Sequence, residues 1–98
     1  MTDPDIRFIA RLETIIRERL ADGDQASYTV RLATAGTKRI AQKVGEEAVE
    51  LALAAAAGSE QEVVDEAADL VYHVLVLLNE RGLSMADVAQ RLQTRHAD

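Results

Sequence analysis

The segment from Val63 to Leu78 constrains this chain more than any other. At about 100° per residue around a helix, Val63, Val64, Ala67, Leu70, Val71, Val74, Leu75, Val76, Leu77 and Leu78 cover most of the circumference. A helix apolar on nearly every side has to be buried, either by its own chain or by a partner subunit. Yet Glu66, Asp69 and His73 share one narrow wedge inside that apolar wrap, which leaves Asp65, Tyr72 and Asn79 as the ordinary solvent face.

A second pair of acids, Glu47 and Glu50, has the same i,i+3 spacing on the segment before it. There Ile40, Val44, Leu51 and Ala55 form one apolar stripe, and Val49 and Leu53 form another nearly opposite. Lys43, Glu46, Glu47 and Glu50 fall between the stripes, with Glu47 almost on the first. The tight Gly58-Ser59 link predicts an antiparallel hairpin of the two helices. Both acidic turns then stand at similar heights above the link, so their wedges can face each other. Such spacing is common on exposed helices, where it makes a solvated face or salt bridges. Against that reading, Val44 to Glu80 holds nine acidic residues and no Lys or Arg. Clustered carboxylates repel one another, and burying them ionised is costly. A divalent cation reconciles them. Oxygen ligands without cysteine favour magnesium, with manganese as the alternative, over zinc.

His73 lies one turn past Asp69 and reads as a hydrogen-bonded core residue or a group orienting a ligand, not as a ligand itself. Lys38, Arg39 and Lys43 cluster at the start of the Glu47 helix. They are either plain surface charge or a cationic mouth for phosphates, assisted by the helix N-terminus. His96 lies in the tail and is given no role.

The remaining punctuation predicts an all-α fold of four main helices and one short segment. Asp3 as N-cap and Pro4 at the first helical position open the first helix. Its apolar residues Phe8, Ile9, Leu12, Ile15, Ile16 and Leu20 keep helical spacing, and Asp22-Gly23-Asp24 ends it. A weak helix, with a loop as the alternative, follows Ser27-Tyr28-Thr29 through Ala35. The next helix runs from Thr37, which can cap it, to Ala57 and Gly58. Ser59 with Glu62 forms a capping box for the helix ending at Arg81. Ser84 with Asp87 starts a last helix through Gln93, and Thr94 to Asp98 is expected to fray.

The 98 residues make one domain, 1–98, with a core modest enough that self-association is expected. No cysteine is present, which excludes a disulfide framework, a thiolate zinc site and a cysteine nucleophile. A net charge of −6 argues against non-specific nucleic-acid binding. The N-terminal residues lack the features of a signal peptide, and no run is long enough to span a bilayer, so a cytoplasmic protein is expected.

Three blocks carry a resemblance. Ser27-Tyr28-Thr29 comes first, then Gly36 to Glu50 containing K-x-G-E-E-x-x-E, then Glu66 to Leu78 containing E-A-A-D-L-x-Y-H. Together, in this order, they strongly resemble the phosphoribosyl-ATP pyrophosphohydrolases of histidine biosynthesis, from about Asp5 to His96. The resemblance implies a MazG-like helical bundle completed by dimerisation, with magnesium held by acids of the E-x-x-E and E-x-x-D type. It implies hydrolysis of 1-(5-phosphoribosyl)-ATP to 1-(5-phosphoribosyl)-AMP and pyrophosphate. Some relatives are fused to the cyclohydrolase of the next step. This chain is too short to include that domain, so separate polypeptides are expected.

The expected site follows. Glu47, Glu50, Glu66 and Asp69 hold magnesium, directly or through water. Glu46 is an auxiliary ligand or a base, and Glu47 is catalytic with it. Lys43, with Lys38 or Arg39, steadies the phosphates. A homodimer is expected from the all-round apolarity of the Val63–Leu78 helix. Ser27-Tyr28-Thr29 serves either as N-cap and packed tyrosine or as an active-site segment shared across subunits. A house-cleaning nucleoside triphosphate pyrophosphohydrolase of the same fold is the alternative enzyme. A non-catalytic helical oligomerisation module, solubilised by its acids, is the alternative from another class.

Overall fold

The computed structural model describes residues 4–97, and five helices account for most of them. They are α1 (Phe8–Asp22), α2 (Tyr28–Ala35), α3 (Thr37–Ala57), α4 (Glu60–Glu80) and α5 (Met85–His96). The all-α class, the four main helices and the short segment agree with the sequence reading. The Ser27–Ala35 segment is helical rather than a loop, with the Ser27 side chain accepting from the Val30 N–H at 3.4 Å.

The α3–α4 hairpin is the spine of the molecule. Gly58 closes α3, its N–H donating to the Ala54 carbonyl at 2.7 Å. A Cβ at Gly58 would stand 2.9 Å from that carbonyl oxygen, which is why the link has no side chain there. Ser59 and Glu62 form the reciprocal capping box that starts α4. The buried residues of α3 are Ile40, Glu47 and Ala54, spaced by seven, so one face looks into the hairpin along its whole length.

Helices α1 and α2 pack over the hairpin half remote from Gly58. There Ile16, Leu32, Ile40, Leu75 and Val76 form the core, with Ile9, Leu12, Leu20, Val71, Tyr72, Leu77 and Met85 against it. Each such aliphatic side chain contributes about 1.5–3 kcal/mol on full burial. The half nearer Gly58 has no such cover, and Val49, Leu53 and Val64 are exposed. The accessible surface is 7131 Å², where a compact monomer of this mass has about 5500 Å².

Several local expectations need correction. Asp3 lies outside the described residues, and Pro4 is not helical. The Asp5 carboxylate takes the Arg7 N–H at 2.9 Å, and its carbonyl takes the Phe8 N–H, making a turn before α1 begins. Thr37 does not cap α3. Gly36, at φ 97°, occupies the cap, and the Thr37 hydroxyl donates to Glu80 at 2.7 Å across the hairpin. Tyr72 is half-buried rather than on a solvent face, because α2 covers that side of α4, and Asn79 is half-buried as well. Helix α5 continues to His96, so Thr94 to His96 are ordered by their own helical bonds.

Candidate active site

Glu47 enters the hairpin because it falls at the middle of the inward stripe Ile40–Glu47–Ala54. Glu66 and Asp69 approach from the facing turns of α4. Each of the three offers one carboxylate oxygen, and these oxygens lie within 4.8 Å of one another. Glu47 is buried, Glu66 half-buried and Asp69 exposed, so the cluster opens to solvent on the Asp69 side.

Oxygens Oε2 of Glu47 and of Glu66 are buried without a hydrogen-bond partner. Buried acceptors are normally satisfied, and leaving one unsatisfied costs about 1–3 kcal/mol, more when it is charged. Two such oxygens in one acidic cluster suit a hard divalent cation, which takes carboxylate oxygens as ligands. The donor set therefore fits a hard divalent cation and gives no thiolate or imidazole for a softer metal.

Lys43 braces the cluster from one turn earlier on α3. Its Nζ lies 3.3 Å from Glu47 Oε1. The hydrogen bond to Glu47 raises the Lys43 ammonium above the ordinary lysine range; burial opposes this, while Tyr28, Glu47 and Glu46 add to it through their charges. Arg39 and Glu46 are exposed and form a loose pair at 3.8 Å. Lys38 is exposed on the first turn of α3. Glu50 is exposed and outside the convergent trio; it lines an open cleft of about 300 Å³ beside Leu53, Gly58, Glu62 and Glu66. Of the sequence-derived acids, the fold thus gathers Glu47, Glu66 and Asp69, and holds Glu46 and Glu50 at the margin.

A polar layer on the far side of Asp69 was only partly legible. His73 is buried, and its Nδ1 lies 2.7 Å from the Asp69 carbonyl oxygen. A carbonyl only accepts, so Nδ1 donates to it, and Nε2 hydrogen-bonds the Tyr28 hydroxyl at 2.9 Å. Thr29 and Tyr72 hydrogen-bond through their hydroxyls beside it. His73 is thus a hydrogen-bonded core residue that ties α2 to the turn bearing Asp69. Ser27 takes the N-cap role, and Tyr28 stays partly exposed while its hydroxyl bonds His73. The spacing of Glu66, His73 and Glu80 by seven was the available signal for a polar seam, but Glu80 gained a partner only through Thr37.

A family model described as phosphoribosyl-ATP pyrophosphohydrolase matches residues 9–96. The chain belongs to the phosphoribosyl-ATP pyrophosphohydrolase family. It is 55% identical over 85 residues to a phosphoribosyl-ATP pyrophosphatase of Pyrobaculum aerophilum, covering 87% of this chain and 90% of that one. A protein of the same name from Pyrobaculum calidifontis is 53% identical over 87 residues, covering 89% and 93%. The histidine biosynthesis bifunctional protein HisIE of Photobacterium profundum is 50% identical over 93 residues, 95% of this chain but 45% of its own length. The chain therefore spans less than half of that bifunctional relative and nearly all of the two shorter ones. Within the family match lie all three convergent acids, Lys43 and the Tyr28–His73 pair. Among the described residues, no helix is long and apolar enough to cross a membrane.

Proposed function

We propose that this chain hydrolyses 1-(5-phosphoribosyl)-ATP, with water, to 1-(5-phosphoribosyl)-AMP and pyrophosphate, the second step of histidine biosynthesis. The observation that carries the reading is the convergence of Glu47, Glu66 and Asp69 within 4.8 Å, with two buried oxygens unpartnered. Those three would hold magnesium or manganese, and Glu50 stands next to Glu66 in the adjoining cleft. The chemistry such an ion supplies is charge neutralisation at triphosphate oxygens and acidification of a water.

The chain's own groups do the rest. Lys43 fixes the Glu47 carboxylate through Oε1 and brings a cation beside the phosphates. Lys38 and Arg39 offer further cations at the N-terminal turn of α3, where the helix dipole also favours anions. Glu46, exposed and next to Glu47 in sequence, would serve as an auxiliary ligand or as the base that accepts a proton from the attacking water. Glu47→Gln and Asp69→Asn, each assayed for pyrophosphate release in saturating magnesium, should lose roughly a hundredfold or more. Near-normal turnover in both would remove the assignment. Side-by-side rates on phosphoribosyl-ATP, dUTP and dCTP test the substrate. Faster turnover of either deoxynucleotide would shift the reading to a house-cleaning enzyme.

The same reading places a homodimer in the cytoplasm. Its support is the excess surface of the single chain and the exposed Val49, Leu53 and Val64 on the uncovered half of the hairpin.

A further inference from the structure

The whole chain contains three aromatic residues, Phe8, Tyr28 and Tyr72. Tyr72 is half-buried, and Phe8 starts a different helix, α1. Tyr28 is 44% exposed, although its hydroxyl is already committed to His73 at 2.9 Å. One side of its ring stacks on Tyr72, with centroids 6.3 Å apart and planes at 27°. The His73 ring stands edge-on, at 5.9 Å and 79°. Stacking and hydroxyl are thus used to hold the ring, and what remains free is its other face.

The ring is tied to the α4 turn that contributes Asp69 to the acidic cluster. Its hydroxyl is 2.9 Å from His73 Nε2, and His73 Nδ1 donates to the Asp69 carbonyl at 2.7 Å, so one imidazole joins the ring to the turn that carries Asp69. If phosphates sit at Lys43 and the acids, a nucleobase lies one ribose away, and it needs a flat apolar surface. We propose that the open face of Tyr28 receives the purine base of the substrate, and that His73 is the positioning residue that holds the ring for it. This rests on the phosphoribosyl-ATP reading above. Exposed aromatic faces that stack on bases contribute in a way that tolerates many bases and depends on the ring rather than on a hydroxyl. Thr29 hydrogen-bonds the hydroxyl of Tyr72, the ring on which Tyr28 stacks.

The chain has no tryptophan and two tyrosines, so tyrosine emission reports on the site directly. In the wild type, AMP should quench this emission, and inorganic pyrophosphate should not. Tyr28→Phe, which leaves Tyr72 as the only emitter, should lose the AMP-dependent quenching. Tyr28→Leu should raise KM for phosphoribosyl-ATP by about tenfold or more with kcat within about threefold, and weaken AMP inhibition to a similar extent. Pyrophosphate inhibition should change less than about twofold. Tyr28→Phe should recover most of the KM, and His73→Gln should fall between the two. Unaltered quenching in Tyr28→Phe, or equal loss of AMP and pyrophosphate inhibition in Tyr28→Leu, overturns the proposal. So does a change of oligomeric state in Tyr28→Leu, which would put the face under a second copy. Failure of the wild type to turn over phosphoribosyl-ATP would remove the functional reading instead, and the AMP quenching would still decide the role of Tyr28.

Discussion

Glu47 shows how one carboxylate is divided between two tasks. Its Oε1 is held by Lys43 at 3.3 Å, and its Oε2 is buried without a partner. Glu66 leaves a second such oxygen in the same cluster. Without a cation, these like charges oppose folding. Glu66→Gln should therefore raise the melting temperature of the metal-free protein by about 4–8 °C, corresponding to about 1 kcal/mol. The same variant should lose the stabilisation that magnesium gives the wild type. Thermal melts with EDTA and with magnesium check both; a lower metal-free melting point would show that Glu66 has a favourable partner. The Lys43–Glu47 pair has its own pH signature. Because the folded lysine value is raised, its stabilisation is complete below the ordinary 10.5 and fades only as pH rises beyond it. Melts between pH 7 and 9 should be the same function of pH in wild type and Lys43→Met, apart from a constant offset.

At the scale of elements, polar side chains reach between helices as well as along them. Thr37 binds Glu80 across the hairpin, Tyr28 binds His73 between α2 and α4, and Glu13 binds α5. Glu13 is buried on α1, and its Oε2 accepts the Met85 N–H at 2.7 Å. It satisfies a free donor in the first turn of α5, as an N-cap side chain does, but from another helix. Glu13→Ala should cost about 1–2 kcal/mol, while Glu13→Gln, which can still accept, should cost less. Hydrogen exchange at Met85 and Asp87 should rise first in the alanine variant. Equal protection in both variants would remove the cap. The capping boxes Ser59–Glu62 and Ser84–Asp87 were legible in the sequence because both partners are three residues apart. Thr37 was misread because its hydroxyl chose a carboxylate 43 residues away.

The whole molecule carries about 1600 Å² more accessible surface than its mass predicts. Its radius of gyration, 14.7 Å, also exceeds the roughly 13 Å of a compact chain of this size. The uncovered side of α3 presents Gly45, Val49 and Leu53 at spacings of four, and a Cβ added at Gly45 would meet nothing within 4 Å. A glycine in an exposed helix interior costs about 1 kcal/mol relative to alanine, which a close approach by a second helix would explain. Leu53→Asp should convert the proposed homodimer to monomer in sedimentation velocity at micromolar concentration, with helical content retained. A wild type that sediments as monomer under the same conditions would end the dimer reading.

Helix spacing, the capping boxes, the acid-rich hairpin and the family blocks are properties of neighbours in the chain, and the sequence alone determined them. It also placed Glu47 almost on the inward stripe, since a seven-residue interval returns a helical side chain to nearly the same face. Only the tertiary structure decided which acids meet, because that depends on how α3 and α4 register across Gly58 and Ser59. It brought Glu47, Glu66 and Asp69 together and left Glu50 at the edge. It likewise turned Tyr72 inward and paired Tyr28 with His73, contacts set by the docking of α2 and spanning more than forty residues of chain. Periodicity describes one helix at a time; which partner covers each face is settled by packing between helices.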